Sequence, residues 1–199
     1  MTDAPFDPDL PRCRWAGATS ERPDVAMVRY HDEEWGTPCH DDRELFERLV
    51  LESFQAGLSW STILHKRAGF AAAFRGFDPR VVAAFDDADR ARLMSDPGIV
   101  RNRAKIDATI GNAAAWLRLA DEFGSAHAYL LAMVPNAGRT LDASIEVGGI
   151  PDRTPVSDAL SDDLRRRGFR FVGSTSMYAF MQSVGLVDDH VAGCFRYRG

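Results

Sequence analysis

The chain has little lysine, little cysteine and no long apolar run, and each shortage excludes a class of structure. Lysine occurs only at Lys66 and Lys105, so nearly all positive charge is arginine, the better bidentate partner for phosphate. No apolar run is long enough for a membrane span and nothing resembles a signal peptide, so we expect a cytoplasmic protein without membrane contact. The three cysteines, an odd number, indicate reduced thiols and favour metal binding over disulfides.

The length and overall charge predict one domain that does not attract nucleic acid through its net field. A chain of 199 residues that is 45% hydrophobic can bury a substantial core. Residues 1–11 are rich in aspartate and proline and are typical of a flexible tail, so the predicted domain spans residues 12–199. Because the net charge is −5, any nucleic-acid contact would depend on local arginine clusters.

The hydrophobic pattern predicts an all-α fold of about nine or ten short helices. From Asn102 to Phe123, apolar residues repeat at helical spacing, and Gly124 follows as a C-terminal signal. Asp41 or Asp42, Ser59 and Pro79 are typical of helix starts. No alternating strand pattern of useful length occurs.

Residues 164–194 contain the most informative pattern, which we interpret as one helix ending, a tight hairpin and a second helix. Ser157 is a candidate cap of the first helix, three arginines lie in its last turn, and Gly168 ends it. Ser174 or Thr175 is a candidate cap of the second helix, after the turn that ends at Gly173. Such a turn exposes backbone N–H groups that suit a phosphate, with Arg170 and the Arg165–Arg167 run close by. An ordinary helix pair with a solvated arginine patch explains the pattern equally well.

Glu52 interrupts an apolar helix face that also contains Leu45, Leu49 and Ala56. Such a carboxylate lies either at the solvated edge of the face or inside a pocket, where it binds something. Aromatic residues occur on both sides of it in sequence; each is either a core residue or a surface for stacking. They are Trp15, Tyr30 and Trp60, whereas Trp35 is interpreted as core.

Four residues could bind a metal ion. His190 and Cys194 are four apart, so a short helix would direct both toward one ion. Cys13 and His31 come from the other end of the chain. Two cysteines and two histidines suit a tetrahedral structural zinc site that would join the two terminal segments, although no compact CxxC motif is present.

Six segments together resemble the 3-methyladenine DNA glycosylase I family of bacterial enzymes, which belongs to the helix-hairpin-helix superfamily. The resemblance runs from about Arg12 to Cys194. The segments are Arg12–Trp15 (RCRW), Tyr30–Gly36 (YHDEEWG), Leu51–Trp60 (LESFQAGLSW), Gly98–Ile106 (GIVRNRAKI), Arg167–Gly173 (RGFRFVG) and Asp189–Cys194 (DHVAGC).

This resemblance implies an enzyme that flips 3-methyladenine out of double-stranded DNA and hydrolyses its N-glycosidic bond. No lysine follows Lys105, so the hairpin region has no candidate amine for Schiff-base chemistry, and we expect a monofunctional enzyme. It implies that Glu52 accepts a hydrogen bond from the exocyclic amine of the base and complements its positive charge. Trp15, Tyr30 and Trp60 would form the pocket. The resemblance also implies one structural Zn²⁺ bound by Cys13, His31, His190 and Cys194, and a DNA-binding hairpin that includes Arg170, Gly173 and Ser174. We expect a monomer.

The sequence departs from the family pattern at three places. Ser53 replaces an expected glycine beside Glu52, a change that we expect to narrow the pocket. The connection from Cys13 to His31 is longer than expected, and Asp188 replaces the usual asparagine. Asp188 is either a helix N-cap or a catalytic group that stabilises the forming sugar cation. Two other functions remain open: a non-catalytic module that binds damaged DNA, and a zinc-containing helical module that binds other proteins.

Overall fold

In a computed structural model, the structure describes residues 6–17, 21–135, 137 and 149–198, and all regular secondary structure within these ranges is helical. The predicted all-α class is therefore confirmed. The α-helices are α1 (Val25–Arg29), α2 (Asp42–Gln55), α3 (Trp60–Ala73), α4 (Pro79–Ala83), α5 (Asp87–Ser95), α6 (Arg103–Phe123), α7 (Ala126–Met133), α8 (Pro155–Arg166) and α9 (Ser174–Ser183). Short 3₁₀ turns lie at Arg14–Ala16 and Arg75–Phe77, and α1 continues as a π-helical segment at Tyr30–Glu34.

The starts of α2, α3 and α4 follow the residues predicted from the sequence, and several other starts have side-chain caps of the same kind. The side chains of Asp41, Ser59 and Asn102 accept hydrogen bonds from the backbone N–H groups of the first turns of α2, α3 and α6. Pro79 is the first residue of α4, and Gly124 ends α6 in the left-handed conformation at φ +85°. These local interactions satisfy backbone groups that a helix end leaves without partners.

The predicted caps of α8 and α9 are wrong. Thr154 caps α8, and Ser157 occupies its third position, where the two residues exchange side-chain and backbone hydrogen bonds as a capping box. Gly173 precedes α9 without any side-chain cap. Ser174 is instead the first helical residue, and its hydroxyl pairs with the Ser157 hydroxyl at 2.9 Å. The hydroxyls therefore join the two helices to each other.

The short helix predicted to contain His190 and Cys194 is also wrong. Residues 188–198 follow α9 as consecutive turns without a regular helix. Gly193 has φ +89°, and the Cys194 N–H donates to the Val191 carbonyl, which closes a tight turn. The spacing of four residues thus reflects a turn and not a helical face.

A large apolar core and a smaller terminal cluster position the rest of the chain. Helix α6 packs against α2, α4, α5 and α7, while α9 packs against α2 and α8. The smaller cluster contains Cys13, Tyr30, Trp35 and Cys194, so it joins residues from both ends of the chain. Among the described helices, none combines the length and apolar character that a membrane span requires.

Of the predicted tail, residues 1–5 lie outside the described part of the chain. Within residues 6–11, the Pro11 carbonyl accepts a hydrogen bond from the Phe195 N–H at 2.8 Å. The carbonyls of Asp7 and Leu10 accept from the guanidinium of Arg12. The beginning and the end of the described chain therefore lie side by side.

Candidate active site and metal-ligand cluster

A cavity of about 300 Å³ lies where α2, α3, α9 and the terminal cluster meet. The structure brings together the four predicted pocket residues, Trp15, Tyr30, Glu52 and Trp60, which all line this cavity. Six further residues line it that the sequence did not assign to a pocket, among them Trp35 and Gln182.

Aromatic rings form most of one wall. The Tyr30 and Trp60 ring centroids are 5.1 Å apart, and those of Trp15 and Trp35 are 4.9 Å apart in an edge-on arrangement. The indole N–H groups of Trp15 and Trp60 are buried and have no hydrogen-bond partner among the described residues. A flat, apolar ligand with one or two acceptors would fit this wall.

Trp35 and Gln182 illustrate what the sequence reading missed. Trp35 was interpreted as core, and it is buried, but it also lies beside the cavity and against the His190 ring. The sequence feature that indicates a pocket position for Trp35 is that it lies in the same YHDEEWG segment as Tyr30. Gln182 is a buried polar residue on the otherwise apolar face of α9, a weaker version of the signal that identified Glu52.

Glu52 lies inside the molecule, so the solvated-edge interpretation is wrong. The residue is only 2% exposed, lines the cavity, and its Oε2 has no hydrogen-bond partner among the described residues. Burial raises the pKa of Glu52 to about 8, and the positive charge of Arg48 opposes part of that rise. A buried carboxyl group without a partner is a place where a ligand is expected.

The C-terminal end of α2 is held by a buried lysine. Lys105 Nζ donates to the carbonyls of Phe54 and Ala56, at 2.8 and 2.7 Å. These are carbonyls that the end of the helix leaves free, and Glu52 lies less than one turn before them. Ser53, the residue expected to narrow the pocket, donates its hydroxyl to the Leu49 carbonyl and is not among the cavity-lining residues.

Next to the cavity, Cys13, His31 and Cys194 are buried, with their ligand atoms all within 4.8 Å of one another. The fourth predicted ligand, His190, is close by, because its ring centroid lies 5.0 Å from that of His31. The His190 Nε2 is buried and has no hydrogen-bond partner among the described residues. Burial, together with the neighbouring Cys194, raises the pKa of the Cys13 thiol to about 12, a cost that a bound cation would offset.

Both histidines are oriented by carboxylates. His31 Nδ1 pairs with Asp32 Oδ1 at 2.8 Å, and His190 Nδ1 pairs with Asp188 Oδ1 at 2.6 Å. Such pairs engage Nδ1 and leave Nε2 as the atom that would bind a metal, as is usual for histidine ligands. In His31 this atom accepts a hydrogen bond from the Cys13 N–H at 3.3 Å. Gly36 allows this packing, because a Cβ atom there would lie 2.9 Å from the His190 ring.

Asp188 therefore lies at the metal-ligand cluster. Its carboxylate contacts His190, with the guanidinium of Arg198 3.7 Å from the second oxygen. It is not among the residues that line the cavity. No helix follows it, so the N-cap interpretation is wrong.

The hairpin between α8 and α9 presents the predicted DNA-binding residues at one surface. Arg170 is exposed, and its backbone N–H and carbonyl are both bound by the side chain of Asn112. The Ser161 hydroxyl donates to the Val172 carbonyl at 2.7 Å. A cavity of about 460 Å³ lies beside this turn, and Gly173, Ser174 and Arg165 line it.

The arginines of this surface differ in how far their charges are already neutralised. Arg166 pairs with Asp163, and Arg167 pairs with both Asp163 and Glu122. Arg165 has only a loose, exposed contact with an acid one turn away. Arg170 has no ion pair within the described part of the chain. The predicted patch thus reduces to Arg170 and Arg165 as the charges most available for phosphate.

The sequence reading found no amine near the hairpin, but Lys105 lies against it. Its Nζ is 6.0 Å from the centroid of the Phe171 ring. Burial lowers the pKa of Lys105, yet the two carbonyl hydrogen bonds engage the amine, and the residue is buried. Its geometry is that of a structural lysine and not of an exposed nucleophile.

With this geometry described, comparison with known proteins identifies the family. A model of the methyladenine glycosylase family matches residues 19–197. The chain belongs to this family. Cys13 and Trp15 lie before the region that the family model matches. Their comparison with the family therefore depends on the longer matches to individual relatives.

Two curated relatives match nearly the whole length of this methyladenine glycosylase family member. DNA-3-methyladenine glycosylase 1 of Escherichia coli strain K12 is 44% identical over 190 residues, which cover 96% of this chain and 98% of the relative. DNA-3-methyladenine glycosylase of Haemophilus influenzae is 41% identical, with 92% and 96% covered. The resemblance inferred from the six motifs is therefore confirmed.

Solved structures of the family share the fold. A crystal structure of 3-methyladenine DNA glycosylase I is 44% identical, with a TM-score of 0.85 over 94% of this chain and 100% of the other. 3-Methyladenine DNA glycosylase I of Staphylococcus aureus, 33% identical, has a TM-score of 0.83 over 92% and 96%. A Tyr-to-Phe variant in complex with 3-methyladenine, 32% identical, has a TM-score of 0.84 over 94% and 99%.

Proposed function

We propose that this chain is a monofunctional DNA glycosylase that excises 3-methyladenine from alkylated double-stranded DNA. The observation that supports this most directly is the cavity in which the buried Glu52 faces Tyr30, Trp60 and Trp15. The predicted enzyme class, a DNA-3-methyladenine glycosylase, is confirmed by relatives that are 44% and 41% identical over nearly the full chain.

The pocket suits a cationic purine better than a neutral one. In DNA, methylation at N3 places a positive charge on the base, and aromatic faces attract cations. Tyr30 and Trp60 would stack on the flipped base, while the Glu52 carboxylate would accept a hydrogen bond from its exocyclic amine. An undamaged adenine lacks the charge, so it would gain less from each of these contacts.

The protonation of Glu52 should respond to the charge of the base. Because its pKa is about 8 in the empty pocket, the group is mostly protonated at neutral pH. A bound cation favours the carboxylate, so binding below pH 8 should release a proton. Binding of the charged nucleotide should therefore strengthen as pH rises toward 8.

The reaction itself needs little from the protein because the leaving group is already activated. The bond between C1′ of the sugar and N9 of the base breaks, and its electron pair leaves with the base, which becomes neutral. A water oxygen then bonds to C1′ and loses one proton to solvent. The carboxylate of Glu52 holds the base during this step, and the aromatic wall excludes other water from it.

The hairpin would hold the DNA while the base is flipped. The N–H groups at the start of α9, which has no side-chain cap at Gly173, and the hydroxyl of Ser174 suit one backbone phosphate. Arg170 would supply the charge, since Asn112 fixes its backbone and leaves its guanidinium outside any ion pair in the described structure. With a net charge of −5, this local contact carries the attraction for DNA.

We also propose that Cys13, His31, His190 and Cys194 bind one structural Zn²⁺. The donor set of two thiols and two imidazoles suits zinc, and the unpartnered Nε2 of His190 provides the fourth ligand atom. Asp188, the residue first considered as a catalytic group, would then act by orienting His190. The bound ion would fasten the residues adjacent to Trp15 and Tyr30 and so stabilise the pocket wall.

The function is tested by release of free 3-methyladenine from alkylated duplex DNA, comparing wild type with Glu52→Gln and Trp60→Ala. We expect release by wild type and a loss of at least about 100-fold in Glu52→Gln, the cost of an uncompensated charge in a buried site. Glu33→Gln, an exposed acid outside the cavity, is the matched control. If folded wild-type protein binds alkylated DNA but releases no base, the enzyme proposal fails and a damage-binding module explains the pocket better.

A further inference from the structure

Arg48 is a buried guanidinium that neither the fold nor the proposed reaction explains. It is only 8% exposed, and its Nε and Nη1 atoms are buried without hydrogen-bond partners among the described residues. Its remaining nitrogen, Nη2, forms an ion pair with Glu34. Buried charge with unused donors is costly, so such a residue normally compensates another charge.

The nearest candidate is Glu52, one helical turn later on the same face of α2. Residues four apart on a helix are neighbours, and Glu52 Oε2 is likewise buried without a hydrogen-bond partner in the described structure. The two groups are thus one turn apart on α2, each has buried polar atoms without hydrogen-bond partners among the described residues, and the charge of Arg48 acts on the Glu52 carboxyl. Arg48 is not among the residues that line the cavity, so it would reach a bound base only through Glu52.

The surrounding charges explain why Arg48 matters. Glu34 is shared between Arg48 and Arg67, and Arg67 also pairs with Glu47 at 2.6 Å. When Arg48, Arg67, Glu34 and Glu47 are all ionised, their charges sum to zero. The cluster together with Glu52 is therefore neutral while Glu52 is protonated, and it has a net charge of −1 once Glu52 ionises. Without Arg48 the same ionisation would leave this partly buried cluster with a net charge of −2, which is less favourable.

We propose that Arg48 is a positioning residue for the base-excision reaction: its buried guanidinium keeps the carboxylate form of Glu52 accessible to a cationic base. The proposal rests on the proposed function in one respect, because it takes Glu52 as the group that receives the base. The effect of Arg48 on Glu52 itself does not depend on any substrate.

The charged, titratable and polar groups around Glu52 and its pocket neighbour Tyr30 come from several elements. Arg48 comes from the same helix, Tyr30 and Glu34 from the π-helical segment, Arg67 from α3 and the uncharged Gln182 from α9. Burial, and next to it the negative charge of Glu52, raises the pKa of Tyr30, which therefore stays neutral and does not compensate the carboxylate. Of the two arginines, Arg48 is the one whose charge lowers the pKa of Glu52.

The test is a carboxyl ¹³C NMR titration of Glu52 in the substrate-free protein, with the resonance assigned by its absence in Glu52→Gln. We expect Arg48→Met to raise the pKa of Glu52 by about one unit, a tenfold change in the proton affinity of this carboxyl group. Arg48→Lys retains the charge and should return the titration toward wild type. Arg67→Met is the matched control, since it removes an equal charge from Glu34 and should shift Glu52 less.

The pH profile of kcat/KM for base release provides the second readout. The acidic limb of this profile follows the ionisation of Glu52 in the free enzyme. Arg48→Met should therefore shift the limb to higher pH, by the same number of pH units as it shifts the NMR titration of Glu52. A purely structural role for Arg48 would lower the denaturation midpoint and leave both titrations in place, which would overturn the proposal. An NMR shift in a protein that releases no base would support the coupling while the proposed function fails.

Discussion

The base pocket and the hairpin are built in opposite ways. The hairpin is mostly local: residues 154–183 include both helices, their caps and the turn, and its contacts with other helices include those of Asn112 with Arg170, Glu122 with Arg167 and Tyr129 with Asp163. The pocket takes its walls from residues near both ends of the chain, with Trp15, Tyr30, Glu52 and Gln182 in four separate segments. The hairpin should therefore tolerate substitutions elsewhere in the molecule, whereas the pocket depends on the contacts of the terminal cluster, which hold the two ends of the chain together.

The hairpin and the pocket also differ in the chemical groups that they present to DNA. The hairpin offers solvated charge and backbone N–H groups, whose interactions with DNA are individually small and weaken with salt. The pocket offers buried groups without partners, Glu52 and the indole N–H groups of Trp15 and Trp60. Loss of one pocket group should consequently cost more than loss of one hairpin group.

The largest effect is expected where the pocket depends on the terminal cluster. Cys194→Ser should abolish metal binding and lower the free energy of unfolding by roughly 3 kcal/mol or more, because a structural metal contributes its binding energy to folding. Metal content by mass spectrometry and urea denaturation would measure both. Cys39→Ser is the control, since Cys39 lies apart from the cluster beside Glu44. Retention of one metal ion per chain in Cys194→Ser would contradict the assignment.

The next effect separates base binding from DNA binding. Trp60→Ala should weaken binding of the damaged base by about 10- to 100-fold, since stacking on one aromatic ring contributes about 1–3 kcal/mol per base. Affinity for undamaged duplex should stay unchanged, and Trp60→Phe should recover most of the loss. Equal losses for damaged and undamaged DNA would mean that Trp60 acts on the fold and not on the base.

Arg170→Ala should produce the complementary result at the hairpin. We expect weaker binding to all duplexes and a decrease of about one in the slope of log affinity against log salt concentration, as for the loss of one phosphate contact. Arg166→Ala is the control, because Asp163 already pairs with that guanidinium at 2.8 Å. An unchanged salt slope in Arg170→Ala would remove this residue from the DNA interface.

The smallest effect concerns the start of the hairpin helices. Thr154→Ala removes one half of the capping box of α8 and should cost about 1 kcal/mol of stability in urea denaturation. The double variant with Ser157→Ala should cost less than the sum of the single changes, because the two side chains act as one unit. Additive losses would show that the two interactions are independent.

Much of the helical framework could be predicted, because helix ends depend on residues within a few positions of one another. Asp41, Ser59, Pro79 and Gly124 act as the pattern indicates. The errors at Ser157 and Ser174 have different causes. Helix α8 begins earlier than predicted, so Ser157 lies at its third position, where its hydroxyl bonds to the backbone of Thr154. The Ser174 hydroxyl pairs with the Ser157 hydroxyl of the neighbouring helix, a contact that only the packing of α8 on α9 creates.

The sequence by itself determined the helical class, most helix ends and, through the motifs, the family and the residues of the pocket. Only the tertiary structure decided that Glu52 is buried and that Lys105 binds the C-terminal end of α2, the helix that contains Glu52. It also decided that Arg48, one turn before Glu52, lacks a full set of hydrogen-bond partners among the described residues. The reason is that capping is a local interaction, whereas desolvation of a charge depends on segments that are far apart in sequence. A charged residue on an apolar helix face has the same pattern at an edge and in a pocket, and only the packing around it distinguishes the two.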